Sequence, residues 1–383
     1  MRYRVTCLTP LLVGDGRRLS PIDYMVWKDQ VNVLDQSRIF RLLAKGPRLD
    51  GYLAQLKKAD KLDFASWGGF AQNFAGRRIP FEHPTAAAFW ERCRGEILFI
   101  PTFAAGTNGQ FLPASALKGA LRTGAVAARL SAGALRDVAA KLQSDRPPRR
   151  PAESVEAHAV GSSGVSRMKA VGLSDSASVS VASFKVYLLR TSTLVQRGSG
   201  FELGWKTSPR GTVDGRRPDD GTPAFAEMAV PGTAFEGRWR EDAFFGRPEI
   251  LHALNWREFP GTEQLLESAN RYSAGLVAIH RQYAERAGLP VLRQSLDALA
   301  AQVADAQQQG RSCVLPLGWG GGFLTKVANT DTDGEGYREV LRQVGLYSRA
   351  IQTGLPFPKT RRVIFLENRP ATLPGWVKLE VVE

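Results

Sequence analysis

The first thirteen residues alternate apolar and polar positions, the period of a strand that buries one face. They open into Gly14-Asp15-Gly16-Arg17-Arg18, a basic turn whose glycines tolerate backbone conformations closed to other residues. Val26 to Leu34 reads as a hairpin. Asp35 then caps a helix carrying Ile39, Leu42 and Leu43 at helical spacing, and a second helix is expected over Tyr52 to Leu62. After a Gly/Thr/Asn loop from Pro101 to Gln110, Pro113 and Ser115, the latter as N-cap, start a helix predicted to run to about Leu130. Leu117, Leu121, Gly124 and Ala128 form its apolar stripe, while Lys118, Arg122 and Arg129 stand on another face.

The texture changes at 144–170, where Pro, Arg, Gly and Ser replace periodicity and a mobile insertion is expected; Lys206 to Thr222 reads the same way. Between these stretches Val179 to Leu189 has the apolar alternation of a sheet strand, and Ala224 to Trp239 gives strand, Pro-Gly turn, strand. Two helices, Thr262 to Ala287 and Val291 to Gln308, should cover one side of a sheet, the second through Leu292, Leu296, Leu299 and Val303. A short helix near Tyr337 to Arg349 and a closing strand from Phe357 to Leu366 follow. Strands interleaved with helices in both halves define an α+β class, and two split-βαβ (ferredoxin-like, RRM-like) domains accommodate the order. At 383 residues the chain is long enough for two cores, expected over 1–176 with its mobile insertion and over 177–383 with a helical insertion around 262–308.

Charge narrows the partners. Lys and Arg outnumber Asp and Glu by 51 to 37, a net charge of +14 spread along the chain, so a polyanion is the natural ligand. Cys7, Cys93 and Cys313 are isolated and fit a reducing cytoplasm; no signal peptide or apolar run long enough for a membrane helix is expected. His83, His158, His252 and His280 lack metal-ligand spacing, and no metal or other cofactor is called for. Asp15, Asp23, Asp35 and Asp175 lie near glycines or strand ends, where turn and capping roles are expected.

Lys118 lies in the first turn of its helix, where the helix dipole disfavours a cation and a bound phosphate would reverse that penalty. On spacing alone, a solvated basic face accounts for Lys118 and Arg122 equally well. Gly318-Trp-Gly-Gly-Gly322, followed by Lys326, lacks the GxxxxGK[ST] pattern of a phosphate loop. It offers instead a backbone that a sugar-phosphate chain can approach, with Trp319 or Phe323 for stacking and Lys326 for charge. Pro358-Lys-Thr-Arg-Arg362 begins a strand whose pleat sends Lys359 and Arg361 to one face and Arg362 to the other.

Together these segments resemble the RAMP superfamily of CRISPR-associated proteins, which are built from ferredoxin-like domains with glycine-rich loops. Pro113-Ala-Ser-Ala-Leu-Lys-Gly-Ala-Leu-Arg122 is similar to its Pro-Gly-Ser-Ser-Leu-Lys-Gly-Ala-Leu-Arg signature, with Ala114 in place of glycine. Val171-Gly-Leu-Ser-Asp-Ser176 resembles its strand-leading Ser-Asp motif, and Glu227 to Phe235 its Pro-Gly-Thr-x-Phe turn. The opening Leu8 to Gly16, Pro21-Ile-Asp-Tyr24 and the C-terminal glycine-rich and basic segments look most like the fifth subunit of type III-A (Csm) effectors. The resemblance implies a cytoplasmic, non-catalytic subunit that binds CRISPR RNA in antiviral defence. It would cap the backbone RAMP subunits at the 3′ side of that RNA and support its maturation by host nucleases. The RNA contacts would then be Gly14, Gly16, Arg17, Arg18, Ser115, Lys118, Arg122, Gly320, Gly321, Gly322, Lys326, Lys359, Arg361 and Arg362. Two catalytic alternatives stand beside this reading. One is a Cas6-like processing endoribonuclease using His83 or His252; the other is a backbone RAMP subunit cutting target RNA through Asp15 or Asp23.

Overall fold

Alternation along the strand Arg2–Cys7 turns Tyr3, Val5 and Cys7 inward, and pairing on both edges puts that strand at the centre of an antiparallel sheet. Its neighbours are Trp376–Val382 and Ala234–Glu241, with Ser312–Pro316 and Val171–Leu173 at the two margins. A computed structural model describes residues 1–58, 61–62, 73–208 and 214–382. The second sheet is organised by Phe184–Arg197, a strand of 14 residues. It is long enough to pair Ala224–Ala229 and Gly200–Lys206 in succession along one edge and Thr360–Leu366 along the other. The Pro231-Gly232 turn forms where expected, and it carries the chain from the second sheet to the first.

The α+β class is as the patterning predicts, with mixed helix and strand throughout. Strands from either side of 176/177 pair within the first sheet, since Arg2–Cys7 is flanked on both edges by strands from beyond residue 230. The strand Thr360–Leu366 is not the last one. Trp376–Val382 follows it, and its alternating apolar and charged residues occupy an interior position of the first sheet.

Two long helices, Thr262–Arg286 and Pro290–Gln309, pack against each other and against the marginal strand Ser312–Pro316. Asn270 ties helix to strand: its Nδ2 donates to the Ser312 carbonyl (2.9 Å) and its Oδ1 accepts from the Val314 amide (3.0 Å). The free edge of that strand is thereby covered rather than left to pair with another chain. The helix Ala114–Ala127 crosses Thr262–Arg286 at Gly124, where an added Cβ would lie 2.9 Å from the Ala269 Cα. Only glycine permits that approach.

The segment 144–170, expected to be mobile, contains the helix Glu153–Val160 and two short 3-10 turns. Ala159, Val160, Met168 and Ala170 are buried in it. Its apolar residues are small and sparse, so its periodicity does not register although its alanines pack well. Of the second expected mobile stretch, 209–213 lie outside the described residues. The rest is tethered: Lys206 Nζ meets Asp214 at 2.8 Å, and Asp219 meets the buried Arg190 at 3.2 Å. The predicted hairpin is present as Tyr24–Trp27 and Gln30–Leu34, with Lys28 and Asp29 both at positive φ in its two-residue turn. The second helix runs over Arg48–Lys58, four residues earlier than its expected start at Tyr52, and residues 59–60 of its expected span lie outside the described residues. No helix among the described residues is long and apolar enough to cross a membrane.

Candidate nucleic-acid interface

A groove of about 980 Å³ opens between four parts of the chain. Its walls are the turn Leu12–Arg18, the first half of the helix Ala114–Ala127, the glycine loop from Leu317 to Lys326, and the start of the strand Thr360–Leu366. Arg17, Arg18, Lys326, Arg361 and Arg362 line it, and among the described residues no carboxylate does. Such a concentration of one sign in a concave surface attracts an anion from a distance.

Local chemistry explains why these loops meet. The Trp319 amide donates to the Leu12 carbonyl at 2.7 Å, stitching the glycine loop to the N-terminal turn. Gly318 makes the stitch feasible, with φ of +77° and a position where a Cβ would sit 2.2 Å from that same carbonyl oxygen. The Arg362 guanidinium lies 4.1 Å above the Trp319 ring, a stack that holds the charge at the groove wall. Across the groove Arg18 stacks 4.3 Å over Phe99, and Lys326 Nζ donates to the Gly318 carbonyl at 3.3 Å. Arg17 lies 3.5 Å from Asp15 and is highly exposed.

Of the residues singled out from sequence, Gly14, Gly16, Arg17, Arg18, Ser115, Gly320, Gly321, Gly322, Lys326, Arg361 and Arg362 all line this groove. Lys118, Arg122 and Lys359 do not. Lys118 Nζ donates to the Val171 carbonyl at 2.7 Å, tying the helix to the marginal strand Val171–Leu173, and burial pulls its pKa down. Arg122 pairs with Glu156 at 2.6 Å on the neighbouring helix. Toward the groove the helix turns a face of small residues instead: Ser115, Ala116, Gly119, Ala120 and Thr123. Ser115 is also not the N-cap. Pro113 holds that position, and the Ala114 amide donates to Asp175 Oδ1 (2.7 Å), supplied by the Ser-Asp segment.

Arg361 lines the groove but directs its guanidinium into the interior. It donates to His280 Nδ1 (2.8 Å) and to the carbonyls of Pro358 (2.6 Å) and Thr360 (2.8 Å), and it stacks over Tyr283 at 4.4 Å. Full burial lowers its pKa to about 10. His280, 2% exposed, lines the groove beside Trp376 and Thr191. It is the functional candidate that sequence reasoning passed over. Its signal is legible in the helical pattern, because it occupies a core position in register with Leu276, Val277, Tyr283 and Ala284, where a polar ring needs a partner.

The other candidates have local duties. Asp15 accepts from the Arg17 amide, Asp23 from the Ser20 amide and Asp35 from the Arg38 amide, the turn and capping roles expected of them. His83 caps the helix Pro84–Arg92 by accepting from the Thr85 amide. No group of three or more His, Cys, Asp or Glu side chains among the described residues is arranged to hold a metal ion.

The sequence pattern of the RAMP superfamily matches residues 4–325. The chain belongs to the RAMP superfamily. Among solved structures, this RAMP protein resembles a chain of a type III-A Csm–crRNA–target RNA ternary complex, with a TM-score of 0.68 at 21% identity, covering 99% of this chain and 100% of that one. Csm5 of T. onnurineus superposes with a TM-score of 0.62 at 20% identity, covering 98% and 99%. At these identities the likeness is one of fold. No curated protein matches the chain.

Proposed function

We propose that this RAMP protein is a non-catalytic subunit of a type III-A (Csm) effector that holds the sugar-phosphate backbone of the CRISPR RNA in its groove. In that role it caps the backbone RAMP subunits at the 3′ side of the RNA and supports trimming of the RNA by nucleases. The observation that carries the reading is the convergence of Gly14, Gly16, Arg17 and Arg18, the Ser115, Gly119 and Thr123 face of the helix, the glycine loop to Lys326, and Arg361 and Arg362 on one concave surface, with no carboxylate among its described lining residues. Positioning by phosphate contacts needs cations and close-approaching backbone rather than a set of proton-transfer groups. The likeness to Csm5 and to a chain of a Csm–crRNA–target RNA complex supports the choice of effector. Engagement of His83 as a helix cap, and of Asp15 and Asp23 as turn acceptors, supports a binding role over a cutting one.

The test is reconstitution of the effector with and without this chain, followed by sizing of the bound RNA. The expected result is a defined, shortened 3′ end only when the chain is present; equal lengths in both preparations would overturn the capping role. Incubating the purified chain with a repeat hairpin in the absence of metal tests catalysis directly. The RNA should be retained uncut, and specific cleavage lost on substituting His83 or His252 would favour the processing enzyme.

A further inference from the structure

We infer that His280 presents a permanently oriented Nε2–H donor at the groove floor to an oxygen acceptor of the RNA sugar-phosphate backbone. The inference rests on the groove being the RNA interface and adds to it a neutral contact of fixed direction.

The orientation follows from Arg361. A guanidinium nitrogen can only donate, so the 2.8 Å contact from Arg361 Nε makes Nδ1 of His280 the acceptor. In a neutral imidazole the proton then resides on Nε2. Protonating Nδ1 as well would set N–H against N–H beside a cation, and burial of the ring also disfavours the charged form. Arg361 cannot swing away, because the carbonyls of Pro358 and Thr360 and the Tyr283 ring hold it, and Tyr283 is in turn bonded to Ser192 at 2.9 Å. The far side of the imidazole is different: His280 lines the groove, and its one hydrogen bond among the described residues is at Nδ1, which leaves Nε2 for a ligand. The ring is 2% exposed, yet Nε2 is not among the sealed side-chain atoms that lack a partner, so the little surface it has opens to the groove, where a bound acceptor can take the place of solvent. Phosphate oxygens and ribose 2′-hydroxyls both qualify. The same arrangement prevents Nε2 from accepting a proton, so this histidine donates a hydrogen bond and does not act as a general base.

Only four histidines occur in the chain, which makes nitrogen-15 labelling of histidine tractable in the full-length protein. One ring, assigned with His280→Gln, should show the Nε2–H tautomer unchanged between about pH 5.5 and 8, and its Nε2 signal should move on adding a short single-stranded RNA. Loss of that movement with 2′-deoxy RNA identifies the hydroxyl as acceptor; loss with methylphosphonate-substituted RNA identifies the phosphate. The variant should bind RNA about tenfold more weakly than the wild type. If the opposite tautomer is found, or if RNA binds the wild type without moving the signal, the inference is overturned whatever the variant's stability. The groove reading is judged separately by Arg362→Ala. If that variant binds as tightly as the wild type, or the wild type fails to bind, the groove itself is misassigned.

Discussion

On the helix Ala114–Ala127, Lys118 and Arg122 turn toward other parts of their own chain, whereas Ser115, Gly119 and Thr123 face the groove. The pattern recurs on the strand Thr360–Leu366. Arg361 is sealed beneath the surface by three hydrogen bonds, and the next residue, Arg362, lies along the groove wall on Trp319. In each pair the more eye-catching cation serves the fold. A polyanion is served by cations that stand at the groove surface rather than beneath it, and by small side chains that let a ribose-phosphate chain come close.

The sharpest way to break this contrast is Arg361→Ala. It should cost about 3–5 kcal/mol of stability in a denaturant titration, because three acceptors, two of them in buried bonds, lose their donor. Arg362→Ala, by comparison, should cost under about 1 kcal/mol. Equal losses would erase the distinction between the two arginines. Next in size, replacing Arg17, Arg18, Lys326 and Arg362 together should weaken RNA binding about a hundredfold at moderate salt. The dependence of log K on log salt should become shallower by about 0.7 per lost phosphate contact, checked by filter binding across ionic strengths.

The third effect is acid destabilisation. The folded His280 has its pKa well below the ordinary 6.5, so the unfolded chain binds the extra proton first. The stability this ring contributes is therefore present above about pH 6.5 and lost as pH falls, by about 1.4 kcal/mol per unit. Thermal scans from pH 7 downward should show this slope, reduced in His280→Asn. Smaller still, Gly119→Met should stabilise the helix by up to about 1 kcal/mol, since nothing lies within 4 Å of the added Cβ, while weakening RNA binding by crowding the groove. A rise in both quantities would remove the small-residue face from the interface. The least effect on binding is expected from Lys118→Met with Arg122→Ala: affinity within about twofold of wild type, and about 1 kcal/mol of stability lost.

Much of this was legible in the sequence, and the rest was hidden for identifiable reasons. The hairpin at Lys28-Asp29 and the long helices Thr262–Arg286 and Pro290–Gln309 follow from periodicity and turn chemistry, whereas the grouping of the glycine loops follows from the resemblance to RAMP proteins. What a local reading does not reach is distance. Asp175 displaces Ser115 as the source of the cap, and Lys118 finds a carbonyl 53 residues away. No local pattern encodes such partners. The helix Glu153–Val160 has no broad apolar stripe for a periodicity to show, since its burial is carried by Ala159 and Val160. His280 is not marked by its spacing from the other histidines; its informative neighbours are the apolar residues of its own helix.

The central strand Arg2–Cys7 is paired on one edge with Trp376–Val382, so the earliest-made strand of the first sheet waits for the latest-made one. Contacts of such sequence separation are slow to form and leave a strand edge open meanwhile. During synthesis one edge of this strand can pair Ala234–Glu241, while the other stays open until residues near 376 have been made. The groove inherits that timing, since its walls draw on Leu12 at one extreme and Trp376 at the other. A chain made only as far as the glycine loop thus lacks part of the groove wall, which is finished only when residues near 376 are in place.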